Sequence, residues 1–380
     1  MKRRKVATQV RASLRDWPAV VVVGPRQCGK TTLARALSSA YFDLEQNEDR
    51  LRLDAHFPEV TAGRRVTVFD EAQFWPDLFP RLRGAIDLDR KRNGRFLLTG
   101  SVSPALMRNV SESLAGRLAV VEMSPFLADE LSLAERKRHW LCGGFPDGGV
   151  LEPRRFPDWQ KNYLALLVGR DLPHWGLPGR PTETSRLFHM LALSNGQVWN
   201  ASRIGQSLGI SYHTVNAHVE FLESAFLVRR LVPFSGNLSK RLVKSPKIFV
   251  RDSGLLHALL GVTNERNLWA QPWVGASWEG YVIESILSHL ALDGHVPQAC
   301  YLRTSDGYEI DLVLDHAGER WAIEIKLTTS PSPAEAARLE QTAKLINATR
   351  TVLVCRKHVG GDPGRILVTD MDHLLSELRR

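Results

Sequence analysis

Short apolar runs separated by amphipathic or polar stretches are characteristic of the beginning of the chain. Residues 19–23 are apolar and mostly β-branched, and residues 32–37 have helical character. Two further apolar runs, at 66–69 and 96–98, are followed by carboxylate or hydroxyl residues. Buried strands of a parallel sheet have such uninterrupted runs because helices cover both faces of the sheet. The pattern predicts an α/β domain over residues 1–130.

The middle of the chain, residues 131–265, has a mainly helical pattern. Three helices and a strand are predicted in its second half, over residues 186–192, 200–208, 212–223 and 226–232. A tight turn at Gly209 separates the second helix from the third, and Val215, Val219 and Leu222 share one face of the third helix. Two helices joined by a short glycine turn and followed by a strand are typical of a winged helix-turn-helix domain.

The last part, residues 266–380, changes from helix to alternating strands. The predicted elements are a helix over 278–287, strands over 308–315 and 321–326, and a hairpin turn at 316–319. This order predicts a second α/β domain.

One motif identifies the chemistry of the first domain. Residues 24–31, the phosphate loop, match every fixed position of G-x-x-x-x-G-K-[ST] and lie between a predicted strand and a predicted helix. This context directs backbone N–H groups and a helix N-terminus at a phosphate. Lys30 is predicted to reach the β- and γ-phosphates and Thr31 to place its hydroxyl on Mg²⁺. The predicted nucleotide-binding residues are Gly24, Pro25, Arg26, Gln27, Cys28, Gly29, Lys30, Thr31, Thr32 and Ser101.

Two other strand ends carry candidate catalytic groups. Asp70 is predicted to hold Mg²⁺, and Glu71 to polarise the attacking water. Thr99 or Ser101 would sense the γ-phosphate, since ligands bind beyond the carboxyl ends of parallel strands. Arg117 is a candidate arginine finger, acting within the chain or from a neighbouring subunit; an ordinary surface arginine is the alternative.

The predicted hairpin of the last part brings a second set of polar groups together. Asp311 and Glu324 are on adjacent strands, and Lys326 is on the same face as Glu324. Two carboxylates can hold Mg²⁺ and a lysine can position or deprotonate a water, which is the arrangement of PD-(D/E)xK nucleases. Glu279 or Glu284 on the preceding helix would add a ligand. The alternative is that these charged residues only face solvent.

Taken together, these motifs resemble a prokaryotic ATPase family over nearly the whole chain. The family joins an AAA-type P-loop domain to a C-terminal domain of unknown function, which combines a winged helix with a restriction-endonuclease-like fold. The resemblance implies ATP as the nucleotide and strengthens Arg117 as a finger or phosphate contact. The segments that carry it are 24–32, 68–73, 98–101, 111–117, 143–146, 240–247, 309–311 and 324–326.

Composition limits the class of protein. The chain has 380 residues, of which 43% are apolar and 24% charged, as in globular proteins of two or three domains. Because no apolar run approaches the ~20 residues of a membrane span and no signal-type segment follows the basic start, a cytoplasmic location without membrane contact is expected. The four cysteines form no C-x-x-C pair, so the sequence contains no signal of a zinc knuckle or of a disulfide framework.

Charge indicates the partner. The formal net charge is +9 and favours a polyanion, with nucleic acid, and DNA in particular, as the first candidate. The third predicted helix has residues that would reach bases, namely Tyr212, His213, Thr214, Asn216 and His218, but no Lys or Arg. Basic residues that would form a wing against phosphates follow it, at Arg229, Arg230, Lys240, Arg241, Lys244 and Lys247.

These observations predict an ATP- and Mg²⁺-dependent ATPase coupled to a C-terminal half that faces nucleic acid and that would cleave it if Asp311, Glu324 and Lys326 hold Mg²⁺. Two alternatives remain. One is a DNA-binding ATP switch with a non-cleaving nuclease fold, and the other is a protein-interaction ATPase of a toxin–antitoxin or defence system. AAA relatives often assemble, so a homo-oligomer is compatible with the sequence.

Overall fold

A computed structural model describes residues 2–101, 112–236, 242–294, 298–360 and 366–379, with only the backbone of Ser101 included. The first part contains strands β1 Ala19–Gly24, β2 Ala40–Asp43, β3 Thr67–Asp70, β4 Phe96–Ser101 and β5 Leu118–Glu122. Its helices are α1 Val6–Asp16, α2 Lys30–Leu37, α3 Asn47–Ala55, α4 Phe57–Ala62 and α5 Leu78–Leu88.

These five strands form one parallel sheet in the order β2-β3-β4-β1-β5. Every residue of β1 and β3 is buried, because helices cover both faces. All five carboxyl ends therefore lie at one edge of the sheet, where ligands of parallel α/β folds bind. The predicted parallel α/β architecture of the first part is confirmed.

The middle part is helical. Its helices are α6 Leu133–Cys142, α7 Asp158–Leu166, α8 Leu172–His174, α9 Pro181–Leu193, α10 Ala201–Leu208, α11 Tyr212–Ser224, α12 Ser253–Leu259 and α13 Glu265–Trp269. Single 3₁₀ or π turns occur in the middle part at Pro146–Val150, Pro153–Arg155 and Leu167–Asp171, and in the first part at Ala72–Phe74 and Ala128–Glu130.

The helix pair α10–α11 is defined by local capping. The side chain of Asn200 accepts a hydrogen bond from the backbone N–H of Arg203 (3.0 Å), and α10 ends at Gly209, whose φ of 71° favours glycine. Ser211 caps α11 in the same way, and the apolar face of α11 is buried in the core of the middle part. The interpretation of this unit as a winged helix stays a prediction.

The last part adds α14 Val274–Leu292, β8 Gln298–Arg303, β9 Glu309–His316, β10 Glu319–Ile325, α15 Pro333–Leu345, β11 Arg350–Val354, β12 Leu367–Thr369 and α16 Met371–Glu377. Two strands from the middle part, β6 Val228–Pro233 and β7 Lys247–Val250, complete a seven-stranded sheet in the order β12-β11-β10-β9-β8-β6-β7. Helices α14 and α16 pack on one face and α15 on the other.

The join between the two parts is a strand pairing. β6 pairs with β7 in the antiparallel sense and with β8 in the parallel sense, with Val232 opposite Cys300. The predicted boundary between residues 265 and 266 thus separates segments that share one sheet. The sequence did not indicate this, because strand pairing over such a distance has no local signal.

Candidate functional site

The phosphate loop connects β1 to α2. A side chain at Gly24 is excluded, because a Cβ there would lie 2.1 Å from the carbonyl oxygen of Met123. Gly29 has φ 104°, a conformation that side chains disfavour, and α2 begins at the next residue. Pro25 and Cys28 are buried, while Gln27 and Thr32 are exposed and Thr31 is half-buried at the head of the helix.

Lys30 is folded onto its own loop. Its ammonium donates to the carbonyl oxygens of Gly24 (3.0 Å) and Pro25 (2.9 Å), and the side chain is buried. The lysine therefore lies directly under the backbone that the motif assigns to phosphate binding.

Asp70 is held by two neighbouring strands. The hydroxyl of Tyr41 on β2 donates to its Oδ2 (2.5 Å), and the hydroxyl of Thr99 on β4 donates to its Oδ1. Burial, followed by the bond to Asp70, raises the pKa of Tyr41, so that this phenol stays a donor. The backbone of Ser101 pairs with Gly24 in register, at the same edge of the sheet.

Glu71 follows Asp70 in a left-handed conformation, with φ 52°. Its carboxylate accepts a hydrogen bond from the side chain of Gln73. The carboxyl edge of the sheet thus brings together the loop, Asp70 and Thr99, with Glu71 immediately beyond the end of β3.

Arg117 lies at the opposite edge. It directly precedes β5, so it is next to the amino ends of the strands, whereas the loop follows the carboxyl end of β1. Its guanidinium donates to both carboxylate oxygens of Asp87 (2.8 and 2.9 Å). A strand length separates Arg117 from the phosphate loop, which argues against a finger acting on the chain's own nucleotide. A role at a neighbouring subunit stays a prediction, and an ordinary surface arginine stays the alternative.

Two contacts to the phosphate loop were not predicted from the sequence. Arg4 of the amino-terminal segment donates to the carbonyl oxygen of Cys28 (2.9 Å) and, from Nη2, to that of Ser124 (2.6 Å). Arg26 forms an ion pair with Asp171 of the middle part (2.5 Å). The loop is therefore held from both sides, by the amino-terminal segment and by the middle part.

A buried ion network links the two sheets. Arg251, directly after β7, donates to Glu122 at the end of β5 and to Glu284 on α14, where Nε and Oε1 are 2.8 Å apart. Arg229 on β6 donates to the same Glu284 (2.6 Å). Burial alone would raise the pKa of the Glu284 carboxyl, but Arg229 and Arg251 outweigh it and hold this pKa at about 2.

The second predicted site contains Lys247, a residue that the sequence predicts in a wing against phosphates. The ammonium of Lys247, the first residue of β7, lies 2.9 Å from Oε1 of Glu279, 2.9 Å from Oε1 of Glu309 and 3.6 Å from Oδ1 of Asp311. Lys247 is only 2% exposed, so its predicted role in a wing against phosphates is wrong.

The other members of this site are also paired. Lys326 donates to Oε1 of Glu324 (2.6 Å), and Oδ2 of Asp311 accepts the backbone N–H of Ile325 (2.9 Å). Burial and the neighbouring Asp311 raise the pKa of Glu279 to about 8 and that of Glu324 to about 7. We call Glu279, Glu309, Asp311 and Glu324 the carboxylate cluster.

The carboxylate cluster does not fit the predicted Mg²⁺ site. Among the described residues, no group of three or more His, Cys, Asp or Glu side chains is placed to hold one metal ion. The predicted ligands Asp311 and Glu279 surround the ammonium of Lys247, and Glu324 is bonded to Lys326. Magnesium binds carboxylate oxygens at about 2.0–2.1 Å, whereas here an ammonium already contacts an oxygen of Glu279, Glu309 and Glu324.

The predicted nucleic-acid face of the middle part also needs correction. Tyr212, His213 and Thr214 are exposed, but His218 is buried and Asn216 accepts the indole N–H of Trp199 (3.0 Å). Of the predicted wing cations, Arg229 and Arg230 are paired with glutamates, Lys244 is exposed, and Lys240 and Arg241 lie outside the described residues.

The fold and the phosphate loop define a P-loop ATPase of the AAA type. Residues 16–132 match the family model of an AAA domain. Residues 133–266 and 274–365 match two models of domains of unknown function, DUF8612 and DUF4143.

Two relatives show the family. Uncharacterized proteins of Mycobacterium tuberculosis and Mycobacterium bovis are each 36% identical to this chain over 343 residues, which are 89% of the chain and 77% of each relative. The chain belongs to the family of these mycobacterial proteins, which joins an AAA-type ATPase domain to a C-terminal domain of unknown function.

Solved structures add only distant likeness. A STAND protein with a tetratricopeptide repeat sensor from Pyrococcus horikoshii is 13% identical with a TM-score of 0.28, and the match covers 77% of this chain and 48% of that one. A DNA replication initiation factor is 12% identical with a TM-score of 0.24, over 56% and 86% of the two chains. Both TM-scores are too low to indicate a shared overall fold. Within the described ranges, no helix has the length and apolar character that a bilayer span requires.

Proposed function

We propose that this protein binds and hydrolyses ATP at the carboxyl edge of its first sheet. The observation that carries the proposal is the phosphate loop between β1 and α2, with Asp70 fixed beside it by Thr99 and Tyr41. Thr31 and Asp70 would hold Mg²⁺, which neutralises phosphate charge when bound. Lys30 would exchange its two loop carbonyls for phosphate oxygens, and Glu71 would orient and polarise the attacking water.

ATP turnover by the full chain tests this assignment. Lys30→Ala is expected to abolish turnover and ATP binding, whereas Glu71→Gln retains binding and loses turnover, by about 10²- to 10⁴-fold. Lys137→Ala, which removes an exposed lysine, is the matched control. Full turnover in folded Lys30→Ala would refute the site.

The proposed output of the ATPase is a change in the C-terminal half. The buried pairs of Arg251 with Glu122 and Glu284 support this idea, because they connect the nucleotide edge of the first sheet to α14. In this proposal, residues 1–130 are the ATPase domain, 131–265 the winged-helix domain and 266–380 a domain with a restriction-endonuclease-like fold. A mixed sheet with helices on both faces and carboxylates on β9 and β10 supports the last assignment.

We further propose that nucleic acid binds the ATPase domain at the edge opposite the phosphate loop. Most of this edge is positively charged, and its arginines and lysine are only partly matched by Asp16, Asp87 and Asp89. Asp87 is itself paired with Arg117. We call these cations the basic edge: Arg15, Arg64, Arg65, Arg83, Arg90, Lys91 and Arg92.

The basic edge is a continuous surface. The side chain of Asn93 donates to the carbonyl oxygen of Arg15 (2.9 Å), and Arg92 donates to that of Ala62 (3.2 Å), so the loops before β1, β3 and β4 touch. Exposed arginines on adjoining loops suit phosphates of a nucleic-acid backbone, and binding of this type releases counterions. Helix α11, in contrast, has no Lys or Arg to contact phosphates.

Salt-dependent binding distinguishes the two surfaces. Replacing Arg64, Arg65 and Arg90 with Gln is expected to reduce the slope of log K against log salt by up to about three on duplex DNA. The matched variant replaces three exposed arginines of the middle part, Arg180, Arg186 and Arg203, and is expected to have little effect.

A lower slope for the middle-part variant, with no change for the Arg64, Arg65 and Arg90 variant, would place the interface on the helix-turn-helix unit. Absence of binding by the unmodified chain would favour the protein-interaction alternative. Turnover that depends on protein concentration and on Arg117 would indicate that this edge meets a second copy of the chain instead.

A further inference from the structure

We propose that Lys247 is the resident cation of the carboxylate cluster and takes the place that a divalent metal would need, so that the nuclease-like domain does not cleave nucleic acid through Mg²⁺. The ammonium of Lys247 lies 2.9 Å from a carboxylate of α14, Glu279, and 2.9 and 3.6 Å from two carboxylates of β9, Glu309 and Asp311. A metal bridging helix and strand would have to bind these same carboxylates.

Geometry excludes simultaneous binding of both cations. Magnesium bonds oxygen at about 2.0–2.1 Å, so an ion shared by Glu279 and Asp311 would lie close beside the ammonium of Lys247. Two cations at such a separation repel strongly where water is largely absent. The Lys247 ammonium has only N–H donors, and one of them forms a hydrogen bond to the Glu279 carboxylate.

Lys247 is held in position by the fold. Its backbone pairs with Leu231 on β6, and β6 pairs with β8 of the same sheet. Its side chain is 3% exposed, and its ammonium also lies 5.4 Å from the centre of the Tyr301 ring. Because the side chain is buried and its strand is paired, the ammonium stays in the carboxylate cluster.

The second lysine pairs with one oxygen of the remaining carboxylate, Oε1 of Glu324, while Oε2 of Glu324 is buried without a hydrogen-bond partner among the described residues. Lys326 donates to Glu324 at 2.6 Å, so this carboxylate too has an ammonium partner. In the sequence, the D…E-x-K pattern predicts a metal site, whereas in the fold each carboxylate of that pattern has a lysine nearby. The cluster then joins β7, α14 and β9 by charge instead of performing hydrolysis.

Binding of Mn²⁺, used as the probe, tests the assignment without relying on activity. The nucleotide-free full chain is titrated with Mn²⁺, and free Mn²⁺ is followed by electron paramagnetic resonance. We expect the unmodified chain and Asp311→Asn to bind equally weakly. Lys247→Gln is expected to gain a site at least about tenfold tighter, because a like charge has been removed, and Asp311→Asn in that background removes the gain.

The matched control is Lys326→Gln, which removes the lysine that contacts Glu324 only, and which should gain no such site. If Lys247→Gln does not fold, Lys247→Gln with Glu309→Gln removes one charge of each sign and keeps Glu279, Asp311 and Glu324. Mn²⁺ binding by the unmodified chain that Asp311→Asn abolishes would overturn the proposal. A folded variant lacking Lys247 that gains no site would overturn it as well.

Discussion

Arg251 donates from Nε to Oε1 of Glu284 over 2.8 Å, and its Nη2 donates to Glu122. This single buried guanidinium therefore contacts the end of a strand beside the nucleotide edge and a helix of the C-terminal half. Buried ion pairs of this kind are costly to break from one side, because the partner is left without a counter-charge.

We expect Glu122→Gln to uncouple the two halves. Removing the charge breaks the ion pair of Arg251 with β5 and keeps the one with Glu284, so a nucleotide-dependent shift of β5 is transmitted more weakly to α14. The measurement is hydrogen exchange of residues 274–292 with and without ATP. The unmodified chain should show a nucleotide-dependent difference that Glu122→Gln lacks, while the exposed Glu48→Gln retains it. Equal differences in both variants would speak against this route.

Arg4 is expected to be important for stability although it is outside every recognised motif. Arg4→Met removes donors to the carbonyl oxygens of Cys28 and Ser124 and leaves Glu130 without its arginine. Because hydrogen bonds from charged donors contribute about 1.5–3 kcal/mol each, we expect a loss of about 3 kcal/mol in urea unfolding and weaker ATP binding. Arg3→Met, an exposed neighbour, should change neither quantity.

Acid should destabilise the protein through a buried histidine. His257 donates from Nδ1 to the carbonyl oxygen of Leu141 (2.8 Å), and its Nε2 accepts the hydroxyl of Ser277 (2.7 Å), which in turn accepts the indole N–H of Trp140 (3.1 Å). Burial lowers the pKa of His257 to about 4. The unfolded chain therefore takes up a proton near pH 6.5 that the folded chain resists.

Acid therefore lowers the free energy of unfolding. The contribution of neutral His257 is fully present above pH 6.5 and is lost as the pH falls from 6.5 through 4, by on the order of 3 kcal/mol. Urea unfolding between pH 7.5 and 4.5 measures the slope. His257→Gln should reduce this slope, whereas His213→Gln, at an exposed position, should not. Parallel slopes for all three proteins would contradict this origin.

Gly144 is expected to tolerate no side chain. A Cβ there would lie 2.5 Å from the carbonyl oxygen of Phe126 and 3.0 Å from Nε2 of His139. Overpacking against backbone costs about 1–3 kcal/mol, so Gly144→Ala should lower the free energy of unfolding by that amount. Gly169→Ala places its methyl in open space and should be neutral in the same thermal or urea experiment.

The site residues that could be predicted from the sequence are those with a local sequence signal. The phosphate loop is eight consecutive residues between a strand and a helix, and Asp70 ends an apolar run, so neighbours in sequence are enough to locate both. Asp311, Glu324 and Lys326 are likewise set by one hairpin.

The features that could not be predicted depend on partners distant in the sequence. Lys247 is 32 residues from Glu279, and nothing around it distinguishes a buried ammonium from a surface one. Arg117 was a candidate finger by type, but only strand direction shows that it faces away from its own loop. Net charge gives the balance of a chain and does not indicate which cations are paired. The sequence therefore predicts Arg229 and Arg230 in a wing, whereas in the structure both pair with glutamates.

The pairing of β6 with β8 affects how the protein can be divided. A chain ended at residue 265 would keep β6 and β7 but lose the strand beside them, and the remaining piece would begin its sheet at β8. Each piece would present a row of unpaired N–H and C=O groups, which recruits strands from other chains. The two regions of unknown function are thus joined by strand pairing, and each produced alone is expected to be prone to aggregate.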